Sequence, residues 1–140
     1  MEVGRVGDNH YLEYTDTYRG VQFVVLFNSG GYRTAYVDIS HTFLENLDYF
    51  ECDDYVDVHC GCTFKDCRLP FEPQVSTEYT WLGWDYAHCC DGIDCETAMK
   101  LFGEVRHSYL SMLVGHVYTL QEVIVECKNV IDQIKEGEKQ

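Results

Sequence analysis

A chain of 140 residues buries roughly two-thirds of the surface that its unfolded form exposes, so a single domain over residues 1–140 is expected. The hydrophobic fraction of 46% and only two prolines exclude a disordered or collagen-like chain and point to a packed core, folding alone or as a small oligomer. Twenty-four acids against ten bases give a formal charge of −14, which argues against direct binding to nucleic acid or a membrane surface and favours basic partners. The same acids could instead serve only to keep the protein soluble.

The opening M-E-V-G-R-V-G-D-N-H carries no apolar h-region, and no apolar run approaches the ~20 residues that span a bilayer, so the chain is expected in the cytoplasm. Eight cysteines without a secretion signal then read as reduced thiols, open to metal binding or to plain burial. The first dozen residues read as an arm or short edge strand with Tyr11 and Tyr14 as apolar anchors. Next, V-Q-F-V-V-L-F-N and Y-R-T-A-Y-V-D-I flank Ser29-Gly30-Gly31, the pattern of an antiparallel hairpin. Residues 41–49 suit a short helix or an irregular crossing, because Phe43, Leu44 and Leu47 share helical spacing.

Residues 55–60 alternate Tyr, Asp and His with Val, Val and Cys, which predicts a half-buried strand. R-L-P-F-E-P-Q-V-S-T-E holds both prolines and reads as a surface loop of the kind that borders sites. Residues 79–88 predict another strand, with Leu82, Trp84 and Tyr86 on one face and Tyr79, Trp81 and Asp85 on the other. One tryptophan is therefore expected in the core and the other partly exposed. Asp94 can cap a helix through Ala98, Met99, Leu101 and Phe102. Thr119 and Glu122 have capping-box spacing ahead of an apolar stripe of Leu120, Val123, Cys127, Val130, Ile131 and Ile134, which predicts a helix of about five turns with Cys127 as a core thiol. Strands followed by helices give an α+β fold: an antiparallel sheet of about four to six strands with the C-terminal helix packed across it.

Two constellations could carry chemistry. Cys60, Cys62, Cys67, Cys89, Cys90 and Cys95 surround His59 and His88, but their C-x-C, C-x4-C and C-C spacings depart from the C-x2-C knuckles of structural zinc sites. On a strand, Cys60 and Cys62 would stand about 7 Å apart, too far for one ion without a bend. No metal and no cofactor is expected. The second group is His59, Asp85, His88 and Asp91, brought together if residues 55–60 and 79–88 neighbour each other. Such a group could bind a divalent ion, form an acid/base pair or only satisfy a buried edge. Gly61 and Gly83 beside it suggest a bulge or a close backbone approach.

The stretches D-V-H-C-G-C-T-F and W-L-G-W-D-Y-A-H-C-C-D, with G-Y-R-T-A-Y-V upstream, resemble a family of small proteins of unassigned function encoded by bacteriophages and prophages. That family is marked by H-G-G-L-T and W-x-G-x-D-x-A-H-x-x-D motifs, and the likeness runs from about Tyr18 to Ile134. By position it implies His59, Gly61, Thr63, Trp81, Gly83, Asp85, His88 and Asp91 as the marked residues. Cys60 and Cys62 stand where the family pattern has Gly and Leu, which argues further against zinc.

The resemblance and the charge together lead to the expectation of a phage-encoded counter-defence protein, anti-CRISPR-like, in the host cytoplasm. It would block a host nucleic-acid-handling complex by occupying a basic groove built for phosphates. The expected partner surface is Asp48, Glu51, Asp53, Asp54, Asp57, Asp91, Asp94 and Glu96, with Trp81 as its hot spot. The alternative is an enzyme or nucleotide binder, metal-assisted or acid/base, with His59, Asp85, His88 and Asp91 as candidate catalytic residues.

Overall fold

A computed structural model describes residues 1–106 and 114–139. Its centre is the hairpin that the glycine-rich turn predicts: β-branched and aromatic residues put Val21–Asn28 and Tyr32–Asp38 into antiparallel strands, with Val25 opposite Ala35 and Phe23 opposite Val37. In chain order the strands are β1 (Gly4–Arg5), β2 (His10–Tyr18), β3 (Val21–Asn28), β4 (Tyr32–Asp38), β5 (Phe64–Asp66) and β6 (Trp81–Asp85). They form one six-stranded sheet in the order β1-β2-β3-β4-β6-β5, with antiparallel neighbours throughout. The helices are α1 (Tyr49–Cys52), α2 (Cys95–Phe102) and α3 (Leu120–Glu138).

Helix α3 starts at the Thr119–Glu122 capping box, as its sequence predicts, and runs for 19 residues. Its stripe of Val123, Ile124, Cys127, Val130, Ile131 and Ile134 is buried against Phe23, Val25, Ala35, Val37, Leu82 and Trp84 on one sheet face. Burial pushes the Cys127 thiol up, as befits a core residue. Asp94 caps α2, accepting from Thr97 N at 3.0 Å, and Gly103 ends that helix in the left-handed region. At Gly83 a side chain would meet the Tyr36 ring at 2.6 Å, so only glycine lets β6 lie this close to β4. Among the described residues no helix is long and apolar enough to cross a membrane.

Four expectations are corrected. Residues 55–60 form no strand: Val56 and Val58 are buried as the alternation requires, but the backbone beside them bonds to α3 side chains instead of a ladder. The start holds the expected short edge strand, β1, but also opens a nine-residue strand, β2, that carries Tyr11 and Tyr14 into the sheet with a register shift between Leu12 and Tyr14. The strand over residues 79–88 shrinks to β6, and β5, read as part of no element, becomes the edge beside it. Both tryptophans are buried, at 0% and 1% exposure, because Leu69 and Phe71 of the proline loop, with Tyr79 just after it, cover the sheet face that carries Trp81. Trp81 is therefore no partner-facing hot spot.

Arg33 on β4 ties these layers together. Its guanidinium is 5% exposed and forms a fork on Glu13 of β2 (2.7 and 2.8 Å), with further bonds to Asp94 (3.1 Å) and the Tyr118 carbonyl (2.9 Å). It also lies over the Phe27 ring at 4.9 Å. Removing one member of a buried ion network strands the other charges, so Arg33→Met is expected to lose roughly 3 kcal/mol of stability by denaturant unfolding. A loss below about 1 kcal/mol would show that Glu13 and Asp94 find water instead.

Candidate functional site

Two tight turns build the site. The first spans residues 58–61 and is closed by Gly61 N donating to Val58 O at 2.9 Å, with His59 and Cys60 at its corners. Cys60 takes a φ of 55° and Gly61 one of 85°; the left-handed region is costly for a residue with a Cβ. The second turn spans residues 88–91, closed by Asp91 N donating to His88 O at 2.8 Å, with Cys89 and Cys90 at its corners. Their sulfurs lie 3.8 Å apart.

Helix α3 holds the first turn in place. Gln133 accepts from Asp57 N (2.6 Å) and donates to Asp57 O (2.8 Å), while Glu126 accepts from His59 N (2.6 Å). These side chains do for residues 57–59 what a neighbouring strand would otherwise do. Asp53 accepts from Cys62 N at 2.8 Å and fixes the exit of the turn.

Asp91 joins the two turns. It is 1% exposed, its oxygens stand 2.9 and 3.0 Å from His59 Nε2, and Oδ2 accepts from His88 N at 3.0 Å. A carboxylate at Nε2 makes that nitrogen the protonated one in the neutral ring and leaves the lone pair on Nδ1. His88 Nδ1 lies 3.3 Å from Asp85 and 3.7 Å from Asp91, yet it is buried with no aligned hydrogen bond among the described residues. Asp85 is engaged elsewhere, accepting from Thr63 Oγ1 (3.2 Å) and Ala87 N (3.1 Å). One ring nitrogen each of His59 and His88 and the Cys60 sulfur lie within 4.8 Å of one another. Desolvation, then Asp91, Asp85 and the Cys89 and Cys90 thiols, push the Cys60 thiol up, so Cys60 is a poor nucleophile as it stands.

An aromatic cover lies over His59. Tyr86 stacks on its ring at 4.7 Å and 17°, and Tyr118 meets it at 4.7 Å. Residues 116–118 are held there by Gly92 N donating to His116 O at 2.7 Å and by Arg33 on the Tyr118 carbonyl. Beside this cover opens a cleft of about 320 Å³ lined by Tyr86, Tyr118, Gln121, Glu122, Val125 and Glu126. The amide of Thr119, with His116 close by, holds the Glu122 carboxyl below its usual range, so the cleft rim is anionic.

The four catalytic candidates read from the sequence meet here: His59, His88 and Asp91 in contact, and Asp85 at their side. The acids expected to form one partner surface separate by role. Asp48, Asp53, Asp54, Asp57 and Glu96 are exposed and Glu51 is half-buried; Asp91 belongs to the buried centre, and Asp94 is spent on Arg33 and the α2 cap. Asp91 and Asp94 are thus corrected as surface groups. Tyr86, Tyr118 and Glu126 were not foreseen as site residues. Tyr118 lies one residue before the α3 capping box, a position that periodicity reads only as a helix entry. Comparison of the chain with protein families, curated proteins and solved structures returned no match.

If Asp91 sets the His59 tautomer, the Nε2-protonated form is expected alone in the wild type and mixed with the Nδ1 form in Asp91→Asn, read from imidazole nitrogen–proton correlation spectra. The variant should also lose about 1–3 kcal/mol, because a buried acceptor is replaced by an amide. An unchanged tautomer would remove Asp91 from this role.

Proposed function

We propose that this protein binds a small planar molecule, neutral or basic, in the cleft beside Tyr118 and acts on it from the His59–Asp91–His88 cluster. The observation that carries this reading is the convergence of the His59 imidazole and the His88 amide on one buried carboxylate, with the His88 ring nitrogen 3.7 Å from it, under a cleft half of whose lining residues touch His59. Burial of a charged group is expensive, and such groups concentrate where chemistry is done. A cavity of about 320 Å³ holds a single-ring or nucleoside-sized molecule. Glu122 and Glu126 repel phosphate, so nucleobases, nucleosides and aromatic amines fit better than nucleotides.

Thermal-shift titration with those three classes and with the matching nucleotides tests this. Members of the uncharged or basic classes should raise Tm, their phosphorylated counterparts should raise it less, and Tyr118→Ala should abolish the rise. Stronger stabilisation by nucleotides, or a response that survives Tyr118→Ala, would refute the cleft as the binding place.

A second reading, counter-defence in the cytoplasm of a host cell, is favoured by the exposure of Asp48, Asp53, Asp54, Asp57 and Glu96 and by the resemblance to phage-encoded proteins. On this reading the acids occupy the basic groove of a nucleic-acid-handling complex, with no contact to nucleic acid or membrane. Asp54 and Asp57 are the informative pair, since Asp53 also holds the turn through Cys62 N. Asp54→Lys with Asp57→Lys should slow association with such a complex and leave Tm within a degree or so of wild type, since exposed substitutions rarely matter to folding. Capture from host lysate followed by competition with DNA or RNA reads the outcome. A captured complex that binds nucleic acid equally well with and without this protein speaks against mimicry.

A further inference from the structure

We infer that His59, Cys60 and His88 form a three-ligand site for a soft divalent transition-metal ion, zinc above all, with the fourth position open beside the aromatic cleft. The inference rests on the reading of the cluster as the active end of that cleft and names what acts there.

Four observations carry it. The three donor atoms already lie within 4.8 Å of one another, so small side-chain rotations bring them to the edges of about 3.3–3.8 Å that one tetrahedral ion requires. They come from two rigid turns, each closed by its own backbone bond, so the set is preorganised. His88 Nδ1 is a buried nitrogen with no aligned partner among the described residues, although two carboxylates stand within 3.7 Å, and a buried polar atom left this way calls for a ligand. Asp91 takes Nε2 of His59 and leaves Nδ1 for an ion, the carboxylate–histidine arrangement that orients an imidazole toward a metal and raises its basicity.

The backbone adds a cost that needs a return. Cys60 occupies a left-handed corner where glycine is the undemanding choice, and the neighbouring position is glycine. That corner puts the Cys60 thiol within 4.8 Å of a ring nitrogen of each imidazole. Asp85, Asp91 and Glu126 surround the spot with negative charge, a poor setting for a free thiolate and a good one for a cation. Imidazole and thiolate together select zinc or copper over magnesium or calcium. Cys62 takes no part, because it is buried on the core side while Cys60 is exposed, and the ligand set is mixed. With three protein ligands the ion keeps a position for water, whose proton it loosens for work on a molecule in the cleft.

Cobalt(II) reports on such a site without any assay of activity. Chelator-treated protein titrated with cobalt(II) should bind one equivalent, with a thiolate-to-cobalt charge-transfer band and the intense visible bands of tetrahedral coordination. Cys60→Gly should lose the charge-transfer band, while its metal-free Tm should equal or exceed that of wild type because the left-handed strain is relieved. A loss of the band cannot then be blamed on unfolding. Asp91→Asn should keep the band but weaken binding roughly 10- to 100-fold. Absence of saturable binding, or a band that persists in Cys60→Gly and vanishes in a Cys89→Ser, Cys90→Ser double variant, overturns the site. The ligand-induced rise in Tm, repeated on chelator-treated protein, separates the two claims: a surviving rise without metal binding sinks only the metal site, and metal binding without any rise sinks only the cleft.

Discussion

An ionised carboxylate taken out of water costs several kcal/mol unless every lone pair is met by a donor, and Asp91 meets this demand by recruiting both ends of the site. One oxygen pair takes His59 from the turn beside α3, and Oδ2 also takes the amide of His88 from its own turn. The two turns cannot drift apart without stranding a charge. Their mutual distance is therefore fixed by electrostatics, while the sheet fixes their place in the fold. Tyr86 leads out of β6 directly into the second turn, and Tyr86 N donates to Arg33 O, which carries the register of β4 into the site.

Arg33 and Asp91 act as complementary anchors. The guanidinium gathers Glu13, Asp94 and the Tyr118 carbonyl on one side, and the carboxylate gathers the histidines on the other. Residues 91–94 and 116–118 run between them. The aromatic cover over His59 is thus set by charge–dipole contacts at both ends, a narrower constraint than apolar packing would give.

The architecture was legible where period and turn chemistry agree. The Ser29-Gly30-Gly31 hairpin, the Asp94 cap and the Thr119–Glu122 box each mark an element that the structure contains. Residues 55–60 show the limit of such reading. Their alternation reports which side chains are buried, and Val56 and Val58 are buried, but a period of two does not say what completes the backbone bonding. Here α3 completes it with Gln133 and Glu126. Trp81 failed for a related reason: whether a sheet face meets solvent depends on where a proline loop folds back, and no local pattern encodes that. His59, His88 and Asp91 were legible because their residue types are costly to place together for packing alone. Tyr118 and Glu126, which belong equally to a helix entry and a solvated helix face, carried no such mark.

The support that α3 lends to the first turn has a kinetic side. Residues 57–59 are bonded to Glu126 and Gln133, which follow them by 67 and 76 positions in the chain. A loop that long closes slowly, and before it closes the amides of Asp57 and His59 have only water to bind. Without α3 in place, residues 57–59 lose these partners and the first turn loses its support. Assembly of the site is thereby tied to the docking of the C-terminal helix, a contact between segments far apart in the chain.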